Sequence, residues 1–347
     1  VLVDSPPEQR AETAPAPPNR RAVRALGLLA SVAILVLVAV ASIAIGAKAL
    51  SLDQVWHGLF HDTGTYGDVV VGERLSRTVL GLLAGAALGL SGAVLQALTR
   101  NPLADPGLLG INAGASAAVV TAITYLGVTS LTGYVWFAFA GAAAVGALVW
   151  FLGGSRGATP VRLALAGTAI SAALYGYLQA VMITDDAALA KMRFWTVGSL
   201  ASATNSTVLQ VLPFLAVGTV LALALARPLN AVAMGDDTAR ALGANLNRTR
   251  ALAMVAATVL CGAATAACGP IVFVGLMVPH VVRSFTGPDL RWILPYATVL
   301  SPVLLLGADV IGRVVARPSE LQVGIVTAII GGPVFIFLVR RRRTAQL

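Results

Sequence analysis

A nucleotide-binding P-loop needs a lysine placed behind a G-x-x-x-x-G turn, where it can reach the β- and γ-phosphates. Lys48 and Lys191 are the only lysines in this chain and neither has that spacing, so any ATP-driven work has to come from another subunit. Gly89-Leu90-Ser91-Gly92 fits the GxSG pattern of intramembrane serine proteases, with His280 as the base it would need. That pattern is short for a chain with 35 glycines, and it places Ser91 inside an apolar run and His280 near a polar end. His57 and His61 are four apart, with Asp62 and Asp68 nearby. A helix would bring both imidazoles to one face, but two histidines leave a metal site incomplete. There is no HExxH, and no metal site is assigned. Cys261 and Cys268 stand seven apart in one apolar run. On a helix that is about 10 Å of rise, too far for a disulfide, so both are read as packing residues.

The most polar internal stretch is 227–250, which contains AMGDDTARALGA. Asp236 and Asp237 read as a helix start, Arg240 falls in the following turn, and Gly243 is a natural stop. The result is a short surface helix held between two apolar runs, either merely solvated or docked on a soluble partner. Without an energy source of its own, the chain is better served by docking. Ionisable residues inside the apolar runs would mark an ion-coupled carrier. They are nearly absent: Asp309 falls at the end of a run, and Asp185, Asp186, Asp236 and Asp237 lie between runs.

These groups are carried by elements whose nature composition decides. Of 347 residues, 57% are hydrophobic and 11% charged, whereas a soluble domain carries about 25% charged residues. The chain reads as an all-α polytopic membrane protein, with a soluble enzyme excluded. A span needs roughly 20 apolar residues, and the apolar runs read as ten spans near 26–47, 76–97, 108–126, 132–152, 162–182, 206–226, 250–268, 270–285, 292–309 and 321–339. Residues 1–24, rich in Pro, Ala, Glu and Arg, read as a disordered tail, 25–343 as one ten-span domain, and 344–347 as a short end. The run from Leu26 is too long for a signal peptide and reads as an anchor. Ten spans put both termini on one side. That side then holds Arg100, Arg162, Arg227, Arg240, Arg248, Arg250 and Arg340 to Arg343 among others, and the opposite side only Lys48, Arg74, Arg77, Lys191, Arg193, Arg313 and Arg317. The positive-inside rule makes the termini cytoplasmic. The net charge of +9 is then orientation charge and implies no nucleic acid. Gly81, Gly85 and Gly89 share a helix face and permit either a dimer seam or internal packing.

Several segments together resemble the permease subunit of ATP-binding-cassette importers for iron–siderophores and vitamin B12, the FecCD type of type II importer. They are Glu73-Arg74-Leu75-Ser76-Arg77, the run RNPLADPGLLG from Arg100, the loop AMGDDTARALGA, and the phrase FVGLMVPH, with similarity from about residue 25 to 343. The resemblance implies a bacterial cytoplasmic-membrane protein of ten spans. It works with a second permease, identical or homologous, with two cytoplasmic ATPases that bind ATP and Mg, and with an external binding (lipo)protein. No cofactor is implied on this chain. Arg74, Arg77 and Arg313 match the arginines that grip the binding protein. Ser76 stands where that family usually has proline, so the local turn differs. Gly235, Asp236, Ala239, Arg240, Leu242 and Gly243 match the coupling helices seated on the ATPase, and Asn101 and Leu103 match a cytoplasmic gate. A second gate uses small hydroxyl residues, whereas this chain has Pro160 and Val161. The Phe194–Leu200 segment matches an external half-helix. The expected function is ferric-siderophore import. Vitamin B12 or haem import by the same machine, a secondary carrier and an intramembrane protease are the alternatives.

Overall fold

The computed structural model describes residues 20–46, 50–60, 66–128, 130–154 and 160–344, and among these there are helices but no strand. In chain order the helices are α1 (Arg20–Ala44), α2 (Leu52–Phe60), α3 (Tyr66–Thr99), α4 (Ile111–Leu126), α5 (Leu131–Gly154), α6 (Pro160–Thr184) and α7 (Asp186–Trp195). They continue with α8 (Asn205–Ala224), α9 (Ala226–Ala233), α10 (Asp236–Ala241), α11 (Leu246–Cys268), α12 (Val274–Thr286), α13 (Leu290–Val315) and α14 (Val323–Thr344). A 3-10 turn, Pro106–Leu109, precedes α4.

Each of the ten expected spans coincides with a helix: α1, α3, α4, α5, α6, α8, α11, α12, α13 and α14. Seven of them are long and apolar enough to cross a membrane, while Ile111–Leu126 and Val323–Phe337 are shorter apolar helices. α12 has 13 residues, about 20 Å of rise against the roughly 30 Å of a hydrocarbon core. Gly269 and Pro270 break the pattern before it, and Phe273 adopts a left-handed φ of 70°. Such irregular backbone at membrane depth survives only when protein covers it, and Gly331 of α14 lies directly against the Phe273 ring. α1 starts at Arg20, within the segment read as a tail; residues 1–19 lie outside the described residues.

α3 and α11 form the buried centre, and α1 and α6 are the most exposed of the long helices. The glycine face of α3 resolves into internal packing. Gly81 lies on Leu306, Gly85 on the backbone at Pro302, and Gly89 on Ser301 and Ala297, all of α13. A Cβ at Gly85 would stand 2.7 Å from Pro302 Cα, so only glycine lets the two backbones approach this closely. Ser76 does not make a turn. Its hydroxyl donates towards the Gly72 carbonyl (3.2 Å) and Asn205 Oδ1 in α8 (2.7 Å), and α3 runs through it without a break. Where proline would remove a backbone donor and kink the helix, serine leaves it intact.

Cys261 and Cys268 are both buried and free.

Candidate functional site

Two polar clusters lie along α3, one at Arg77 about a third of the way into the helix and one at Arg100 just past its C-terminal end. Arg77 and Arg100 are about 35 Å apart at 1.5 Å per residue, close to the thickness of a bilayer core.

At the first, three helices converge on Asp309. Its carboxylate is wholly buried and accepts from Arg77 Nη2 at 2.7 Å and from Arg77 Nε at 3.1 Å. Arg313 Nη2 pairs with it from the other side at 3.0 Å. The Arg313 Nη1 also donates to the Ser42 carbonyl of α1 at 2.9 Å. Arg77 spends its remaining nitrogen on Glu320 at 2.7 Å. Arg74 Nη1 reaches the Ile43 carbonyl at 2.9 Å and so ties α3 to the end of α1. The sequence placed Asp309 at the end of a span. The helix instead runs on to Val315, and Asp309 and Arg313 lie inside it. Ion pairing is what permits this, because a buried charge persists only with a partner. The three arginines expected to project outward are therefore brought together but turned inward. Arg313 is 1% exposed and Arg74 9%, and Arg77 retains the most access of the three, with a side chain 12% exposed.

At the second, the chain leaves α3 through Arg100, whose φ of 51° is left-handed. For a residue with a Cβ that conformation is costly, and two contacts hold it. Arg100 Nε donates to the Val232 carbonyl of α9 at 2.8 Å, and its Nη2 pairs with Asp236 of α10. Asp236 also receives Arg250 of α11, at 2.9 and 2.8 Å to its two oxygens. Burial works against the charged carboxylate, but the hydrogen bonds and charges of Arg250 and Arg100 outweigh it and hold Asp236 below the ordinary carboxylate range.

The expected single helix in 227–250 is α10, with α9 in front of it. Gly235 precedes α10 at φ 116° and Gly243 follows it at φ 77°, both conformations that favour glycine. Ala239 is buried against Val232 and Leu246. Arg240 and Leu242 face outward; Arg240 bonds only Asp237, at 2.9 Å, and Leu242 is 63% exposed. The matched residues thus divide into an inner set, Asp236 and Ala239, and an outer set. α9 is clamped to the start of α13 by Asn230, which donates to Asp289 Oδ1 at 2.7 Å and accepts from the Leu290 N–H at 2.9 Å.

After Arg100 comes the turn expected as a cytoplasmic gate. Asn101 Oδ1 accepts from the Leu103 N–H at 2.9 Å, a local side-chain turn of the kind asparagine forms readily. Asp105 then caps the 3-10 turn through the Gly107 N–H at 2.7 Å. A cavity of about 310 Å³ adjoins the turn, and both Asn101 and Val161 line it, so the two expected gate positions do come together. The side chain of Pro160 lies outside the described residues. Hydroxyls are present at this cavity after all, on Thr99 and Thr168, each bonded to its own helix at Leu95 (2.7 Å) and Ala164 (2.8 Å). The sequence reading missed them because they stand a full turn or more from the expected positions. It also missed Arg100, Arg250 and Val232, although Arg100 is the first residue of the RNPLADP run.

The remaining candidates separate. Ser91 is fully buried, and its hydroxyl donates to the Ala257 carbonyl of α11 at 3.0 Å, a packing role between helices. His57 lies 3.8 Å from Asp53; His61 and Asp62 lie outside the described residues. Among the described residues no three His, Cys, Asp or Glu side chains group to hold a metal. Of the Phe194–Leu200 segment expected as a half-helix, only Phe194 and Trp195 are helical, at the end of α7; beyond it the Ser199 N–H bonds the Cys268 carbonyl at 2.7 Å. A cavity of about 570 Å³ beside it is lined by Lys191, Phe194, Trp195 and Ser199 among others.

The FecCD transport family is matched over residues 34–341. The ferric enterobactin transport system permease protein FepD of Escherichia coli (strain K12) is 46% identical over 93% of this chain and 96% of its own length. The Fe(3+)-citrate import system permease protein YfmD of Bacillus subtilis (strain 168) is 39% identical over 88% and 91%. Among solved structures, an inward-facing metal-chelate type ABC transporter has a TM-score of 0.81 at 28% identity, covering 91% of this chain and 99% of that one.

Proposed function

We propose, from the premise that this chain belongs to the FecCD transport family, that it is the permease subunit of an ATP-driven importer for ferric siderophores. The observation that carries this reading is the identity of 46% with a ferric enterobactin permease, spread over nearly the whole of both chains. An external binding protein delivers the chelate to the Arg77 end of the molecule. Two ATPases bind below, against the outer face of α10 at Arg240 and Leu242, and a second permease completes the channel. Both termini are cytoplasmic and the protein resides in the bacterial cytoplasmic membrane. The reading is supported by the separation of about 35 Å along α3 between Arg77 and Arg100, which pairs with α10. ATP can drive such a cycle only by binding one conformation of the assembly better than another, so the permease has to pass movement from the α10 surface to the turn at Asn101.

Of the three arginines, Arg77 is best placed to meet an acidic partner. It sits at the rim and its second partner, Glu320, is itself partly exposed. Arg74 and Arg313 hold the surrounding helices in register. Uptake of labelled ferric siderophore by cells with and without the gene, with labelled cobalamin and haem measured in parallel, tests the assignment. Loss of the iron signal alone is expected. Loss of cobalamin or haem uptake alone would keep the machine and change its cargo. No loss in a strain stripped of paralogous permeases would remove the assignment.

A further inference from the structure

The turn that carries Asn101 and the helix that carries the outer coupling surface are joined by one side chain. Arg100 immediately precedes Asn101, and its guanidinium spans to two separate elements of the 226–250 segment, the Val232 carbonyl of α9 and the carboxylate of Asp236 at the start of α10. Asp236 is shared. Arg250 grips it from α11, within the same segment, so Arg250 fixes α10 to its own exit helix, whereas Arg100 carries the ion pair across to the end of α3. The left-handed backbone at Arg100 makes the turn that follows depend on where that side chain is anchored. Both partners remain about one-third exposed, Arg100 at 37% and Asp236 at 34%, so the contact can break and re-form without moving charge through a dry core. The rest of α10 is arranged to suit, with Ala239 packed inward and Leu242 facing out.

We propose that Arg100 is the positioning residue that couples α10 to the gate: displacement of α10 by the ATPases draws Asp236, then Arg100, and with it the Asn101–Leu103 turn. This rests on the importer reading above. The charge-assisted pair transmits the pull, and the Val232 bond keeps the guanidinium oriented.

The test uses the complete complex, permease with ATPases and binding protein, in proteoliposomes, and reads ATP hydrolysed per ferric chelate transported. In Arg100→Gln that ratio is expected to rise at least tenfold while maximal ATP hydrolysis stays within about twofold of the parent. Arg100→Lys, which keeps the charge for Asp236 and loses the Nε donor to Val232, should recover most of the coupling. Adding Asp236→Asn should raise the ratio less in the Arg100→Gln background than in the parent, because both changes remove the Arg100–Asp236 link while Asp236→Asn also weakens the hold of Arg250. An unchanged ratio in Arg100→Gln would overturn the proposal. So would parallel loss of hydrolysis and uptake in step with the amount of assembled complex in both Arg100 variants, since that is what a purely structural residue does. Absence of binding-protein-stimulated, ATP-dependent uptake in the parent complex would instead defeat the importer reading, independently of any Arg100 variant.

Discussion

Arg77 of α3 grips Asp309 of α13 with two parallel hydrogen bonds, Nη2 to Oδ1 at 2.7 Å and Nε to Oδ2 at 3.1 Å. The planar guanidinium matches a carboxylate in this fork geometry, and Arg313 closes the other side. Removing the central carboxylate leaves two guanidiniums facing each other in a largely buried space. Asp309→Ala should therefore cost about 3–5 kcal/mol, seen as a fall in the melting temperature of the purified protein in detergent. The triple variant Arg77→Met, Asp309→Leu, Arg313→Met should be less destabilised than Asp309→Ala alone, since it leaves no unpaired charge. Equal melting temperatures for Asp309→Ala and the parent would mean that the network contributes nothing to stability.

Glu320 occupies the side of Arg77 nearest the surface. An acidic docking partner has to compete with it. Glu320→Gln should tighten binding of the external protein by about threefold or more, chiefly through faster association, as read by surface immobilisation at low and high salt. Weaker binding would show that Glu320 is itself part of the docking surface.

Asp289 caps α13 and is shared with α9. The side-chain hydrogen bond from Arg291 is the largest influence on it, opposed by burial and reinforced by the Arg291 N–H and Asn230, and the carboxyl is held down at about 2 against an ordinary 3.8. A depressed pKa contributes stability that is fully present above the unfolded value and is lost as pH falls through the folded one. Asp289→Ala should cost about 1–2 kcal/mol through the lost cap and the orphaned Asn230. Its gap to the parent should be constant above about pH 5 and close as the pH falls from about 4 towards 2. A gap that persists at the acid end would place the effect in packing rather than charge.

Ser91→Ala deletes one hydroxyl bonded to a helix carbonyl. A loss of about 1 kcal/mol in stability is expected, with uptake rates within twofold of the parent. Abolished activity in a well-folded Ser91→Ala protein would revive the nucleophile reading.

The long helices were legible because a bilayer-length apolar run can hardly be anything else, and all ten expected segments are helical. What the sequence did not reveal depends on distance in the chain. Arg77 and Asp309 are partners across most of the protein, so Asp309 looked like a span end rather than a centre. Arg100 and Asp236 likewise stand far apart, and nothing in RNPLADP shows where that arginine points. α9 was absorbed into the 227–250 loop, because its eight residues include Arg, Pro and Asn and resemble a connection more than a helix. Gly85 was correctly read as a close-approach site, but its sequence is equally suited to a second chain. Only the position of Pro302 shows that the neighbour is internal.

α3 contains no proline, carries the Arg77 cluster about a third of the way along and runs out into Arg100. A long helix uninterrupted by proline acts as a lever. A tilt of about 5° around its midpoint moves each end by about 1.5 Å in opposite directions over its roughly 35 Å working length. That is half the length of a hydrogen bond at each cluster, enough to remake the contacts at both. Of the helices packed on α3, α8, α12 and α13 carry proline in their interior, where helices kink. The tightly packed glycine face where α3 crosses α13 is then the fulcrum: a bulky side chain at Gly85 would shift the pivot and alter the travel of both ends together.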